Sequence, residues 1–218
     1  MKEILCFGDS NTYGLIPGTT RRYDRETRWT GILAEKLYDK GYRIIEEGLC
    51  GRTSVFDDAT RDGRNGAKVL PMLLETHAPL DKVVLMLGTN DCKTYNHASA
   101  DRIGKGIEKL IQQIRKADPA IDILLVSPIE LGEDVWKPGF DLEFDQHSVK
   151  VSKQLKQTYL KIAWKYGCDF LAASDVAKPS KADMEHMNEE GHKNLAEAIE
   201  SFLVEKERNH SNDYVNVV

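Results

Sequence analysis

Five short apolar runs alternate along the chain with segments in which apolar residues recur every three or four positions. The runs have the length of buried strands and cover residues 4–7, 43–47, 83–87, 121–127 and 169–172. The clearest stripe of helical spacing is formed by Ile103, Ile107, Leu110, Ile111 and Ile114. Regular alternation of the two patterns predicts βαβ units and a parallel sheet.

Four other segments carry the helical spacing. Their apolar positions are Trp29, Ile32, Leu33 and Leu37; Val69, Leu73 and Leu74; Leu155, Tyr159, Ile162, Ala163 and Tyr166; and Leu195, Ala198, Ile199, Phe202 and Leu203. Pro71 lies inside the second group, and because it has no amide hydrogen it is expected only in the first turn of that helix.

Polar segments follow the first three strands, and this placement predicts the strand order. They can meet at one site only if those strands are neighbours. We therefore predict a flavodoxin-like three-layer α/β/α sandwich with a five-stranded parallel sheet in the order 2-1-3-4-5. Linkers, repeats and low-complexity segments are not evident, so residues 1–207 are interpreted as one domain. Residues 208–218 are expected to be a polar tail, frayed or used at an interface.

Composition and net charge exclude some classes of binding partner but say little about the reaction. The net charge of -5 argues against nucleic-acid or membrane-surface binding. No apolar run reaches membrane-spanning length, and no signal-peptide pattern is evident. The scattered cysteines, without CxxC spacing, are typical of small buried thiols in a reducing cytosol; they are Cys6, Cys50, Cys92 and Cys168. The chain is expected to be cytoplasmic and to act on a small molecule.

Ser10 is the first candidate for chemistry, because Gly8-Asp9-Ser10 comes directly after the first strand. Ligands of open α/β sheets bind at the carboxyl ends of the strands. A serine hydroxyl is a weak nucleophile that needs a base and a group to orient the base. Asp183 and His186, three residues apart near the other end of the chain, can supply both.

Four segments together resemble those of a known family. They are Gly8-Asp9-Ser10, residues 47–53, Gly88-Thr89-Asn90-Asp91, and residues 183–186. In this order they resemble the sequence blocks of the SGNH (GDSL-type) hydrolases. The stretch Arg28-Trp29-Thr30-Gly31, with residues 45–53 and 86–91, also resembles the narrower arylesterase and acyltransferase (perhydrolase-like) branch.

The resemblance implies a cofactor-free serine esterase acting through an acyl-enzyme. It makes Ser10 the nucleophile, His186 the base and Asp183 the acid of a triad. The oxyanion hole would be formed by the backbone N–H groups of Ser10 and Gly51 and by the Asn90 amide. Each role is chemically reasonable, since neutral preorganised donors stabilise a tetrahedral oxyanion and histidine titrates near neutrality. A preference for short acyl groups is implied as well, and no metal is expected.

The substrate pocket is less well specified. The resemblance puts residues around the catalytic histidine at the acyl end of the site, and the expected lining residues are Asp9, Asn11, Trp136, Met184 and Met187. Long loops at residues 15–28, 92–99 and 130–146 are candidates for pocket walls. The last contains four apolar side chains, those of Trp136, Phe140, Leu142 and Phe144. We expect a homo-oligomer that covers them; the alternative is a lid folded onto the same subunit.

Other interpretations stay open at this point. Ser10 alone is equally typical of a turn or a helix N-cap. Asp183, His186 and His192 would make an incomplete metal site, and His192 fits better in the first turn of a helix capped by Asn188. The same acyl-enzyme would serve an acyltransferase or a carbohydrate O-acetyl esterase. A flavodoxin-like binding module is the non-enzyme alternative, although no glycine-rich phosphate loop is present.

Overall fold

All five predicted strands form one parallel sheet. The structure, a computed structural model, describes residues 1–215, and side chains as far as residue 206. The strands are β1 (Lys2–Gly8), β2 (Tyr42–Gly48), β3 (Lys82–Met86), β4 (Asp122–Ser127) and β5 (Asp169–Ala172). Their order is β2-β1-β3-β4-β5, with every neighbouring pair parallel. The predicted fold class and strand order are confirmed.

Helices cover both faces of this sheet. They are α1 (Ser10–Tyr13), α2 (Trp29–Tyr38), α3 (Gly66–Thr76), α4 (Ala100–Ala117), α5 (Gln146–Tyr166) and α6 (Glu189–Val215). Short 3₁₀ turns lie at Asn90–Cys92, Thr94–Asn96 and Ala173–Asp175. Helices α3, α4 and α5 pack on one face, and α2 packs with α6 on the other.

Strand β1 separates the two halves of the core. Leu5 and Phe7 belong to the cluster that contains α3, α4 and α5, whereas Ile4 and Cys6 belong to the cluster around α2 and α6. All four side chains are fully buried. A central strand covered on both faces is a continuous apolar run, which is the pattern seen at residues 4–7.

Pro71 corrects one detail of the prediction. It lies in the interior of α3, beyond the first turn to which it was expected to be confined. A proline there leaves the carbonyl four residues earlier, that of Ala67, without its helical donor. The side chain of Gln113 on α4 donates to this oxygen at 2.8 Å. The hydrogen bond from the neighbouring helix thus compensates the missing one.

The last helix enters the segment that was expected to be a tail. Helix α6 is described as far as Val215, so it includes most of residues 208–218. Residues 216–218 lie outside the described part of the chain. Among the described residues, no helix combines the length and the apolar character needed to cross a bilayer.

Candidate active site

Ser10 lies where β1 ends and α1 begins. Asp9 is the N-cap of α1, and its Oδ1 accepts a hydrogen bond from the Asn11 N–H at 3.0 Å. This turn lies between β2 and β3, the two neighbours of β1, at the point where the strand order reverses. Crevices at such positions bind ligands in open α/β sheets. The short capped helix therefore presents Ser10 at the expected place.

Three residues far apart in the sequence form one hydrogen-bonded chain. His186 Nε2 lies 2.8 Å from Ser10 Oγ, and His186 Nδ1 lies 2.8 Å from Asp183 Oδ2. With Asp183 ionised, Nδ1 carries the proton and Nε2 can accept the serine proton. The structure thus brings together the predicted nucleophile, base and acid in the order required for nucleophilic catalysis.

Asp183 is held as an acceptor by its surroundings. Its Oδ1 accepts from the backbone N–H groups of Glu185 at 3.0 Å and His186 at 2.9 Å, and its Oδ2 also accepts from the Gly18 N–H at 2.8 Å. Burial by itself would raise the pKa of Asp183, but these hydrogen bonds and His186 hold it below its ordinary value. The carboxylate therefore stays charged beside the imidazole.

Asn11 connects the two ends of the site. Its side-chain oxygen accepts from the Met187 N–H at 3.0 Å, and its amide donates to the Glu185 carbonyl at 3.4 Å. Both bonds fix the segment that carries His186 relative to the helix that carries Ser10. Asn11 is thus a positioning residue, and its side chain is committed to the backbone.

The five residues predicted to line the substrate pocket do not line the cleft at Ser10. Asp9 is buried beneath the turn, and Asn11 is committed as described above. Met187 is fully buried in the core between α2 and α6. Met184 packs against Gly132, and Trp136 packs against the core while its Nε1 donates to the Glu133 carbonyl. The structure places these five side chains away from this cleft, because each is held by core packing or by contacts with the backbone.

The predicted oxyanion donors do border this cleft. Gly51 has a φ of +81°, which favours glycine, and an added Cβ would lie 2.5 Å from the Arg61 guanidinium. Asn90 begins a 3₁₀ turn after β3, and its Nδ2 donates to the Arg52 carbonyl at 3.1 Å. An amide nitrogen has two hydrogens, so one is used to orient the side chain and the other is available to a ligand.

The cleft itself has a volume of about 660 Å³. Besides the residues already described, it is lined by Leu15, Cys50, Asp57, Asp58, Ala59, Thr60, Arg61, Lys93, Tyr95, Asp141, Glu143 and Glu185. Sequence reasoning missed the wall at residues 57–61, which belongs to the loop between β2 and α3. Its only signal was the density of charged residues from Asp57 to Arg64.

Ion pairs fix the walls of this cleft. Lys93 pairs with Glu143, whose backbone carbonyl also accepts from the Thr94 N–H at 2.8 Å. Arg61 pairs with Asp58 at 2.7 Å. The loop at residues 130–145 is thereby attached to the segment that follows β3. A cleft whose walls are held by such pairs is preorganised for polar ligands.

The apolar side chains of this loop are divided between core and surface. Phe144 is 2% exposed and belongs to the core of its own chain, and Trp136 is partly buried against that core. Leu142 is 68% exposed. The loop thus folds onto its own subunit over part of its length, as in the lid alternative. The homo-oligomer stays a prediction. The sequence argument for it now rests only on those apolar side chains of the loop that are exposed, such as Leu142.

His192 is placed in the first turn of α6, as expected. Asn188 Oδ1 accepts from the Gly191 N–H at 3.0 Å, and His192 Nδ1 accepts from the Trp29 N–H at 3.3 Å. Burial, with a smaller effect of nearby His186, lowers the pKa of His192 to about 4. It is therefore a neutral core residue. Within the described residues, no group of three or more potential ligands is arranged to hold a metal ion.

Comparison with known proteins gives the class. The model of the GDSL-like lipase/acylhydrolase family matches residues 6–193. The chain therefore belongs to this family, which confirms the resemblance and the prediction of a serine ester hydrolase. No match was found among curated proteins.

Solved structures agree over nearly the whole chain. The aryl esterase of M. smegmatis is 35% identical, with a TM-score of 0.88, and the match covers 94% of this chain and 99% of that one. A carbohydrate acetylesterase from Sinorhizobium meliloti is 38% identical, with a TM-score of 0.85 and the same two coverages. The lipase/acylhydrolase from Enterococcus faecalis, at 18% identity, TM-score 0.65 and coverages of 93% and 95%, shares the fold.

Replacing Asn90 by alanine tests the oxyanion role. We expect kcat to fall on the order of a hundredfold to a thousandfold with little change in KM, because the donor acts on charge that develops in the transition state. Asn194→Ala is a matched control, since it removes an amide that donates to the Val176 carbonyl away from the cleft. Equal losses in kcat and in substrate affinity, in a variant of native melting temperature, would contradict the assignment.

The pH profile of kcat/KM tests the state of His186. Burial by itself would lower the pKa of His186, but the carboxylates of Glu185 and Asp183 raise it above its ordinary value of 6.5. The base must be neutral, so activity should increase with pH through a midpoint above 6.5. Glu185→Gln removes one carboxylate and should move this midpoint to lower pH. A wild-type midpoint below the ordinary histidine value would contradict this description of the site.

Proposed function

We propose that the chain hydrolyses esters of short acyl groups with polar alcohols through an acyl-enzyme on Ser10. The observation that carries this proposal is the hydrogen-bonded chain from Ser10 through His186 to Asp183, open to the cleft. A hydroxyl, an imidazole and a carboxylate in this order are the means by which a serine becomes a nucleophile.

The proposed reaction has two halves. Ser10 Oγ attacks the ester carbonyl while His186 Nε2 takes its proton. The N–H groups of Ser10 and Gly51 and the Asn90 amide receive the oxyanion, and His186 then gives the proton to the departing alcohol. Water, activated by the same histidine, attacks the acyl-enzyme and releases the acid. Asp183 keeps its charge throughout and stabilises the imidazolium.

The lining of the cleft supports a polar alcohol. Most of its side chains are polar or charged, and the acids Asp57, Asp58, Asp141, Glu143 and Glu185 outnumber the bases Arg61 and Lys93. An excess of carboxylates disfavours anionic esters by charge repulsion. Similarity to a carbohydrate acetylesterase supports a short acyl group on a polar alcohol, and similarity to an aryl esterase supports ester hydrolysis. An acyltransferase that uses the same intermediate is the alternative, with an alcohol in place of water.

A chain-length series of p-nitrophenyl esters tests the acyl preference. We expect kcat/KM to be highest for acetate or butyrate and to decrease toward laurate, because this cleft offers few apolar side chains to a long acyl chain. Ser10→Ala measured beside each ester corrects for spontaneous hydrolysis. A maximum at laurate would contradict the short-acyl proposal and leave the nucleophile assignment intact.

A further inference from the structure

Glu185 is a buried acid at the edge of the cleft, and its carboxylate takes part in no step of the reaction proposed above. It stands between Met184 and His186, is 7% exposed and lines the cleft. Its backbone is fixed at both ends, since its N–H donates to Asp183 Oδ1 and its carbonyl accepts from Asn11. The backbone that carries this side chain is therefore fixed next to the catalytic histidine.

The carboxylate of Glu185 has no hydrogen-bond donor among the described residues. Other buried acids of the site do: Asp91 accepts from the backbone N–H and the hydroxyl of Ser54, and Asp183 accepts from four groups. Burial without a donor is unfavourable for a carboxylate and raises the pKa of Glu185, although the nearby charges of His186 and Lys93 oppose this effect. A polar group left in this state beside a substrate cleft is suited to receive a donor from the ligand.

The place of this carboxylate identifies which part of the ligand it meets. Glu185 Oε1 lies 3.8 Å from His186 Nε2, the nitrogen that carries the proton to the leaving group. The oxygen of the departing alcohol must come within about 2.6–3.2 Å of the same nitrogen. An alcohol that leaves from this nitrogen can therefore lie beside Glu185, with a hydroxyl next to the ester oxygen within reach of the carboxylate.

We propose that Glu185 is a specificity-determining residue, whose carboxylate accepts a hydrogen bond from a hydroxyl group adjacent to the ester oxygen of the alcohol half. The proposal rests on the proposed function. It makes monoesters of vicinal diols and polyols better substrates than esters of simple or alkylated alcohols. Lys93 is paired with Glu143 and acts on Glu185 through its charge, so no described residue donates a hydrogen bond to the Glu185 carboxylate.

A matched pair of acetate esters isolates this contact. 2-Hydroxyethyl acetate and 2-methoxyethyl acetate have the same acyl group and the same position of the second oxygen, and only the first can donate a hydrogen bond. Since hydrogen bonds to charged groups are among the stronger ones, we expect wild-type kcat/KM to favour the hydroxyl ester by about tenfold or more. Hydrolysis is followed by titration of the released acetic acid.

Variants of Glu185 give the decisive ratio. In Glu185→Leu the preference for the hydroxyl ester should fall to about one. Glu185→Gln keeps the shape and one acceptor oxygen, and should retain part of the preference even if the leucine variant folds poorly. Glu133→Gln is the control, because this carboxylate of the loop at residues 130–145 is exposed, pairs with Lys153 and does not line the cleft.

The ratio of the two rates distinguishes a contact with the alcohol from an electrostatic effect on the base. If Glu185 acts only through the charge on His186, both esters lose rate by the same factor and the ratio stays at its wild-type value, which would overturn the proposal. A wild-type ratio near one would overturn it too. If neither ester nor p-nitrophenyl acetate is hydrolysed in a Ser10-dependent manner, the proposed function fails, and the result differs from both cases.

Discussion

Ser10→Ala is expected to lower kcat for p-nitrophenyl acetate by several orders of magnitude, up to about 10⁶-fold. His186 Nε2 lies 2.8 Å from the Ser10 hydroxyl and takes its proton, and alanine removes that hydroxyl. What remains is the smaller rate supplied by binding and by the oxyanion donors. The change is small and buried, so the melting temperature should stay near that of the wild type.

Ser201→Ala is the matched control for this experiment, since it removes an exposed hydroxyl on α6. It should leave both rate and stability unchanged. A Ser10→Ala protein that retains near-native hydrolysis would contradict the assignment of the nucleophile, whatever the other variants show.

The second large effect is expected from Asp183→Asn, with a loss in kcat of about 10⁴-fold, the size seen when the triad acid of a serine protease is changed to asparagine. Oδ1 of Asp183 accepts from two backbone N–H groups, so the asparagine keeps its oxygen there. Its NH₂ group then faces His186 Nδ1 and the Gly18 N–H. Two donors oppose each other at Gly18, and the imidazole is driven to the tautomer with its proton on Nε2, where it cannot accept from serine.

The asparagine variant is to be compared with Asp175→Asn, which neutralises an exposed acid paired with Lys156. The control should keep native rates. The expected loss in kcat is that of a histidine held in the wrong tautomer. A loss in kcat below about tenfold, or one that disappears when the pH is raised, would show that Asp183 is not required to orient the base.

The sheet, and the places of Ser10 and Asn90 at its carboxyl edge, could be predicted because each depends on local sequence. Apolar runs of strand length mark the strands, and a glycine and a polar residue directly after a run mark its carboxyl end. Ser10 and Asn90 follow β1 and β3 in this way. Since parallel strands end at the same edge of the sheet, adjacency along the strand order places them together.

Side-chain direction around His186 could not be predicted from adjacency. Met187 was assigned to the pocket because it follows His186, but the Asn11 side chain holds its N–H and its side chain enters the core. Glu185, on the other side of the histidine, lines the cleft. The direction is set by contacts with residues far away in the sequence, and the same holds for Pro71, whose position in α3 depends on Gln113.

The wall at residues 57–61 was missed for a related reason. This loop has no apolar period, and its conformation depends on polar contacts such as those between Asp58 and the Thr60 and Arg61 N–H groups. Such turns follow from side-chain hydrogen bonds that sequence patterns of strands and helices do not contain. The charged character of the cleft, and with it the preference for a polar alcohol, therefore emerges only in the folded chain.

Covalent labelling with a fluorophosphonate tests the central claim most directly, because the reagent is attacked by an activated serine and forms a stable adduct. Intact-mass analysis of the wild type should show a single adduct, and peptide mapping should place it on Ser10. Ser10→Ala should not react, and Asp183→Asn should react far more slowly. An adduct on another residue, or an active esterase that gives no adduct, would contradict the account of Ser10 as the nucleophile.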